Sequence, residues 1–187
     1  MDRAERFSDL YQRQYGPVLR YALRRTDPET ARDVAAETFL VAWRRLDVVP
    51  AETSMADPWL YGVARRVLAN TERSRLRAEQ LMTRLGQDRH DTSVPDEAGS
   101  IAEIARIRDA LATLSELDQE ALRLVGWEEL DLAAAALAMG CSRATMAVRL
   151  HRARRRLERA LGTAGWAEPR PVSGRADPPQ KISQETL

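Results

Sequence analysis

The sequence predicts an all-α protein made of two helical domains joined by a flexible linker. Three observations carry that prediction. Apolar residues recur at helical spacing along most of the 187 residues, and no convincing alternating strand appears among them. Helix-start signals, an Asp or Ser followed by proline or an acid, punctuate the chain. Between two such periodic stretches, residues 87–96 form a polar run with neither feature.

The first helix is marked by Phe7, Leu10, Tyr11, Val18, Leu19, Ala22 and Leu23 on one stripe, interrupted by Gly16-Pro17. Proline lacks an amide donor and clashes with the preceding turn, so a kink or two short helices are expected there. Asp27-Pro28-Glu29 places a capping carboxylate, a first-turn proline and a first-turn acid in sequence, and opens a helix running to about Leu46. Asp57-Pro58 repeats the signal and opens a third helix to roughly Arg77, closing a first domain over residues 1–77. The pattern weakens over 78–99, the expected linker. Order resumes at Ser100, whose capping box with Glu103 precedes Ile101, Ile104, Ile107 and Leu111. Short helices follow from Glu116 to Gly126, Leu132 to Met139 and Arg143 to Leu161, giving a second domain over 100–161. The tail 162–187 holds four of the nine prolines and little apolar periodicity, and is expected to be disordered.

Composition narrows the function classes. No apolar run approaches the ~20 residues of a membrane span, and no basic start leads into an early apolar run. Cys141 is the sole cysteine, so neither an internal disulfide nor a zinc cage is available and a reducing cytoplasm is the simplest setting. His90 and His151 lie far apart, with no phosphate-cradling glycine loop and no metal-ligand spacing; no enzyme activity, cofactor or metal is expected. The net charge of +1 hides segregation: residues 61–90 carry +4, 91–140 carry −8 and 141–161 carry +6. Two basic blocks around an acidic one suggest two polyanion-facing surfaces, although solvated helix faces give similar runs.

Helical projection sorts the faces. On the third helix Leu60, Val63, Ala64, Val67, Leu68 and Thr71 form an inward stripe, while Trp59, Arg66, Asn70, Arg73 and Arg77 share another face. An aromatic, an amide and three guanidiniums on one stripe can stack a base and hold phosphates; a core tryptophan beside solvated arginines gives the same pattern. The second helix turns Ala31, Val34, Ala35, Thr38, Ala42 and Leu46 inward and Ala36, Leu40 and Trp43 outward, ringed by Asp33, Glu37 and Arg44. Such a patch suits a docking partner, and equally a helix sandwiched between two others. In the second domain, an alanine-rich helix, the turn Gly140-Cys141-Ser142 and a basic helix form a helix-turn-helix arrangement. There Arg143, Ala144, Ala147, Val148 and His151 would face base edges, with Arg149, Arg152, Arg156 and Arg159 flanking. A generic helical hairpin with a turn glycine has the same outline.

Three stretches then carry a family resemblance: Asp33-Val34-Ala35-Ala36-Glu37-Thr38-Phe39 with Ala42-Trp43-Arg44; Trp59-Leu60-Tyr61-Gly62-Val63-Ala64-Arg65-Arg66; and Leu150-His151-Arg152-Ala153-Arg154-Arg155-Arg156-Leu157. In this order they resemble the small, extracytoplasmic-function group of bacterial RNA polymerase sigma factors, over roughly residues 5–77 and 104–161. The resemblance implies a promoter-specific initiation factor with core RNA polymerase and promoter DNA as partners, in the cytoplasm and without a membrane role. It implies that Asp33, Glu37, Leu40, Trp43 and Arg44 dock on the β′ clamp helices. Trp59, Arg65, Arg66, Asn70, Arg73 and Arg77 would read and melt the −10 element. Ser142, Arg143, Ala147, Val148, Arg149, His151 and Arg152 would read the −35 duplex, with the domain's flank on the β flap. An anti-sigma partner is common in this family. Ala147 and Val148 stand where the family often has polar groups, and the alanine-rich scaffold helix is expected to pack loosely against the recognition helix. The alternatives are a stand-alone helix-turn-helix regulator or a helical protein-binding adaptor.

Overall fold

The computed structural model describes residues 2–84 and 101–162. Seven α-helices follow in order among them: α1 Arg3–Leu23, α2 Pro28–Arg44, α3 Thr53–Arg84, α4 Ile101–Ala112, α5 Glu116–Gly126, α6 Leu132–Met139 and α7 Arg143–Leu161, with a 3-10 turn over Leu46–Val48. The capping chemistry places most starts. Asp27 accepts from the amides of Glu29 and Thr30 at 3.0 Å each, Asp131 from Ala134 at 2.8 Å and Ser142 from Thr145 at 3.1 Å. Ser115 caps α5 in the same way. The capping box expected at Ser100 and the tail beyond Gly162 lie outside the described residues, as does the 85–99 portion of the expected linker.

Two expectations change. Pro17 lies inside the continuous helix α1, so two short helices are not formed. Pro58 lies inside α3, which begins at Thr53, with the amides of Met55 and Ala56 bonded to the Glu52 carbonyl, and continues to Arg84 past the expected end at Arg77. Asp57 is therefore not a cap. Pro58 is fully buried, and the apolar surface it removes from water offsets the hydrogen bond its ring cannot make. The alanine-rich α6 lies close against α3. Its small side chains let it approach α3 so closely that a Cβ on Gly62 would stand 3.0 Å from the Ala138 carbonyl oxygen.

That crossing joins the two units. Helices α1, α2 and α3 pack on one another, α5, α6 and α7 on one another, with α4 against α7, and α6 lies against α3. A single apolar cluster runs through both, from Val18, Tyr21, Phe39 and Leu60 in the first unit to Leu124, Ala135, Ala138 and Met146 in the second.

Candidate nucleic-acid and protein interfaces

On α3, Leu60, Val63 and Ala64 are buried and Val67 and Leu68 half-buried, as the projection placed them, but Thr71 is exposed. Arg66, Asn70, Arg73 and Arg77 are exposed and Trp59 is half-buried against the core. Asn70 Oδ1 accepts from Arg73 at 2.5 Å, and Arg73 also donates to the Ala69 carbonyl at 3.0 Å, so amide and guanidinium are held as one polar edge. Arg65 is set apart from this group. Its side chain turns to the second unit and donates to the Met139 carbonyl at 3.3 Å, with Nε buried and unpartnered.

The inward stripe of α2 is buried throughout, and Thr38 satisfies its buried hydroxyl by donating to the Val34 carbonyl at 2.6 Å. On the outer side Leu40 is 41% and Trp43 39% exposed, with Asp33, Glu37 and Arg44 exposed around them. A shallow groove beside them is lined by Asp33, Ala36, Glu37 and Leu40 of α2 and by Val67 and Thr71 of α3. Sequence projection missed what holds Trp43. The Phe7 ring meets it edge-on at 5.1 Å, and Arg3 lies over it at 5.3 Å while donating to its carbonyl at 2.8 Å. The partners come from α1, too distant in sequence for a local pattern to reveal.

In the second unit Gly140 adopts the left-handed conformation, φ +66°, and the Cys141 amide bonds back to the Ala136 carbonyl at 3.0 Å, making the turn between α6 and α7. Met146, Leu150 and Ala153 anchor α7, with Leu157 and Leu161 half-buried. Ser142, Arg143, Ala147, Val148, His151 and Arg152 are exposed. Arg149 is not a free flank residue: it is half-buried and reaches Asp118 of α5 at 3.5 Å, and Arg156 pairs with the same carboxylate. A groove between α5 and α7 gathers Asp118, Val148, Arg149, Arg152 and Arg156.

Between the units lies a buried polar cluster that sequence reasoning did not find. Arg25, just past the end of α1, donates to Glu120 at 2.9 and 3.2 Å, to Glu128 at 2.9 Å and to the Tyr21 carbonyl at 2.7 Å. The Tyr21 hydroxyl donates to Glu120 at 2.7 Å, and Arg24 to Glu128 at 2.6 Å. Burial, then the neighbouring Glu120 charge, pushes the Tyr21 hydroxyl well above its usual pKa, which keeps it a donor. Burial opposes the charge on Arg25, but Tyr21 and Glu120 more than offset it. Among the described residues no group of three or more His, Cys, Asp or Glu is placed to hold a metal, and no helix is long and apolar enough to cross a membrane.

Residues 10–79 match the family model for sigma-70 region 2, and residues 104–157 the model for sigma-70 region 4. The extracytoplasmic-function (ECF) RNA polymerase sigma factor SigL of Mycobacterium tuberculosis is 31% identical over 157 residues, covering 83% of this chain and 89% of that one. The RNA polymerase sigma-E factor of Streptomyces avermitilis is 30% identical over 156 residues, 83% and 84% of the two chains. Among solved structures, the sigma factor RpoE from Bartonella quintana, crystallised with the anti-sigma factor NepR, is similar with a TM-score of 0.62 and 25% identity, over 83% of this chain and 96% of that one. With both regions matched in one chain and these relatives covered over most of their length, the chain belongs to the ECF group of the sigma-70 family.

Proposed function

We propose that this sigma factor directs RNA polymerase to promoters through three separate surfaces. The outer side of α2, with Leu40 and Trp43 inside the rim of Asp33, Glu37 and Arg44, docks on the β′ clamp helices of core polymerase. The exposed edge of α3, with Arg66, Asn70, Arg73 and Arg77 beside Trp59, holds the opened −10 strand by stacking and phosphate contacts. The exposed face of α7, with Arg143, Ala147, Val148, His151 and Arg152, enters the major groove at the −35 duplex, and the β flap meets this unit's flank. The factor supplies binding energy rather than bond chemistry, so it is not an enzyme, and it works in the cytoplasm, where promoters and polymerase are. RpoE's complex with NepR makes an anti-sigma protein a reasonable partner for this chain.

The observation that carries this reading is the solvent exposure of Leu40 and Trp43 on a helix whose opposite side is fully buried. A water-facing indole and isobutyl pair within a charged rim is costly unless a partner covers it. The match to region 2 over residues 10–79 disfavours a stand-alone helix-turn-helix regulator, which would need only the second unit. The test is transcription from a matched promoter with purified core polymerase. Leu40→Asp is expected to abolish polymerase binding while leaving the helical circular dichroism unchanged; binding at wild-type strength would overturn the docking assignment.

A further inference from the structure

A carboxylate is set into the edge of the helix that faces duplex DNA in the reading above. Asp118, in the first turn of α5, has a side chain only 6% exposed, and each of its oxygens meets a guanidinium of α7. Oδ1 lies 3.5 Å from Arg149, and Oδ2 accepts from Arg156. The Arg149 side chain lies mostly below the surface, 28% exposed with its Nε buried and unpartnered, while that of Arg156 is 51% exposed. Val148 and Arg152, both exposed, line the same groove, and Arg152 has no acidic partner among the described residues.

What approaches this edge gives the carboxylate its consequence. A helix with its side chains is about 10–12 Å across and fills a major groove ~12 Å wide, so the flanks of a recognition helix meet the phosphates on either side. With Val148 and Arg152 turned to the DNA, the edge of α7 nearest α5 meets one of those phosphate rows. Three guanidiniums line the groove there, and the carboxylate cancels the charge of one. Arg156 is exposed enough to swing toward a phosphate, but the move leaves a buried carboxylate with less compensation. That costs more than breaking an ion pair on the open surface. An arriving phosphate also meets direct repulsion from Asp118.

We infer that Asp118 masks Arg149 and Arg156 from DNA phosphates and thereby weakens the sequence-independent grip of the −35-reading unit. This rests on the −35 assignment of α7 proposed above and adds a residue that sets the strength of that contact. Phosphate contacts carry no sequence information, so the mask lowers affinity for promoter and random duplex alike. A genome offers far more wrong sites than right ones, and a weaker phosphate grip shortens the stay at each wrong site. One unmasked guanidinium steepens the slope of log affinity against log salt by ~0.9, equivalent to about eightfold tighter binding at about 0.1 M salt.

The experiment assembles the full chain with core polymerase and measures its affinity for a −35 duplex and for a random duplex of equal length over a salt series. Asp118→Asn keeps the size of the side chain and the backbone bond to Ser115. It is expected to steepen the slope by about one on both duplexes and to tighten both about eightfold at about 0.1 M salt. Asp118→Glu, which keeps the charge, is expected to hold the wild-type slope. Glu116→Gln removes an exposed acid from the same turn of α5 and is expected to change the slope less than half as much. Circular dichroism checks that each variant keeps its helices, and Asp118→Ser gives the same reading should the asparagine variant lose them. An unchanged or shallower slope in Asp118→Asn, an equal effect of Glu116→Gln, or a slope as steep in Asp118→Glu would each overturn the mask. So would a change confined to one of the two duplexes. In all these cases a wild type that prefers the −35 duplex leaves the proposed function standing. Wild type with no preference between the duplexes would overturn the −35 assignment and the mask together.

Discussion

Two aspartates with buried carboxyl oxygens show how neighbours decide what a charge costs. Asp118 is held by two guanidiniums, Arg149 and Arg156. Asp57 has none: its Oδ1 is buried without a hydrogen-bond partner, and burial pushes its carboxyl above the ordinary 3.8, offset only in part by its own backbone amide and by Gln14. The folded protein thus takes up a proton at Asp57 at a higher pH than the unfolded chain does. Its contribution to stability is greatest when protonated and falls as pH rises from near 3.8 through the raised native value. Asp57→Asn is expected to remove that loss, raising Tm at neutral pH by no more than about 2 °C because the residue is only half-buried, and flattening the pH profile. Thermal melts across the acid-to-neutral range would show it; a lower neutral Tm would contradict the assignment.

Helices α5, α6 and α7 begin and end where the sequence placed them: each starts on a capping Ser115, Asp131 or Ser142, and α6 and α7 stop at the left-handed Gly140 and Gly162. Pro17 and Pro58 misled for the same local reason. A proline's cost is visible in sequence, but the tertiary packing that outweighs it is not. The flank of α7 divides in a way that periodicity could not reveal. Arg152 is exposed, whereas Arg149 serves Asp118. Arg149→Ala should therefore lower stability by about 1–2 kcal/mol in chemical denaturation, since Arg156 remains as a partner. Arg152→Ala should leave stability unchanged and reduce the slope of log affinity against log salt on −35 duplex by about one. Equal effects of the two on both measurements would refute the division.

At the scale of the whole molecule, the proposed docking and DNA-reading residues were legible from helical projection, since exposure of Leu40, Trp43, Arg66 and Val148 follows from which side of each helix is apolar. The union of the two units was not. The bonds from Tyr21, Arg24 and Arg25 to Glu120 and Glu128 join residues about a hundred positions apart, each of which reads on its own as an ordinary surface charge or core aromatic. Gly62 stands in the sequence only as one residue of a family motif; the Ala138 carbonyl that a side chain there would meet lies in the other unit.

The apolar cluster that continues from α1, α2 and α3 into α5, α6 and α7 has a thermodynamic consequence. Residues that share one interior lose it together, so differential scanning calorimetry of the wild type should record a single endotherm whose van't Hoff and calorimetric enthalpies agree. Gly62→Leu should split that peak in two, each half melting at its own temperature once its neighbour no longer shields it.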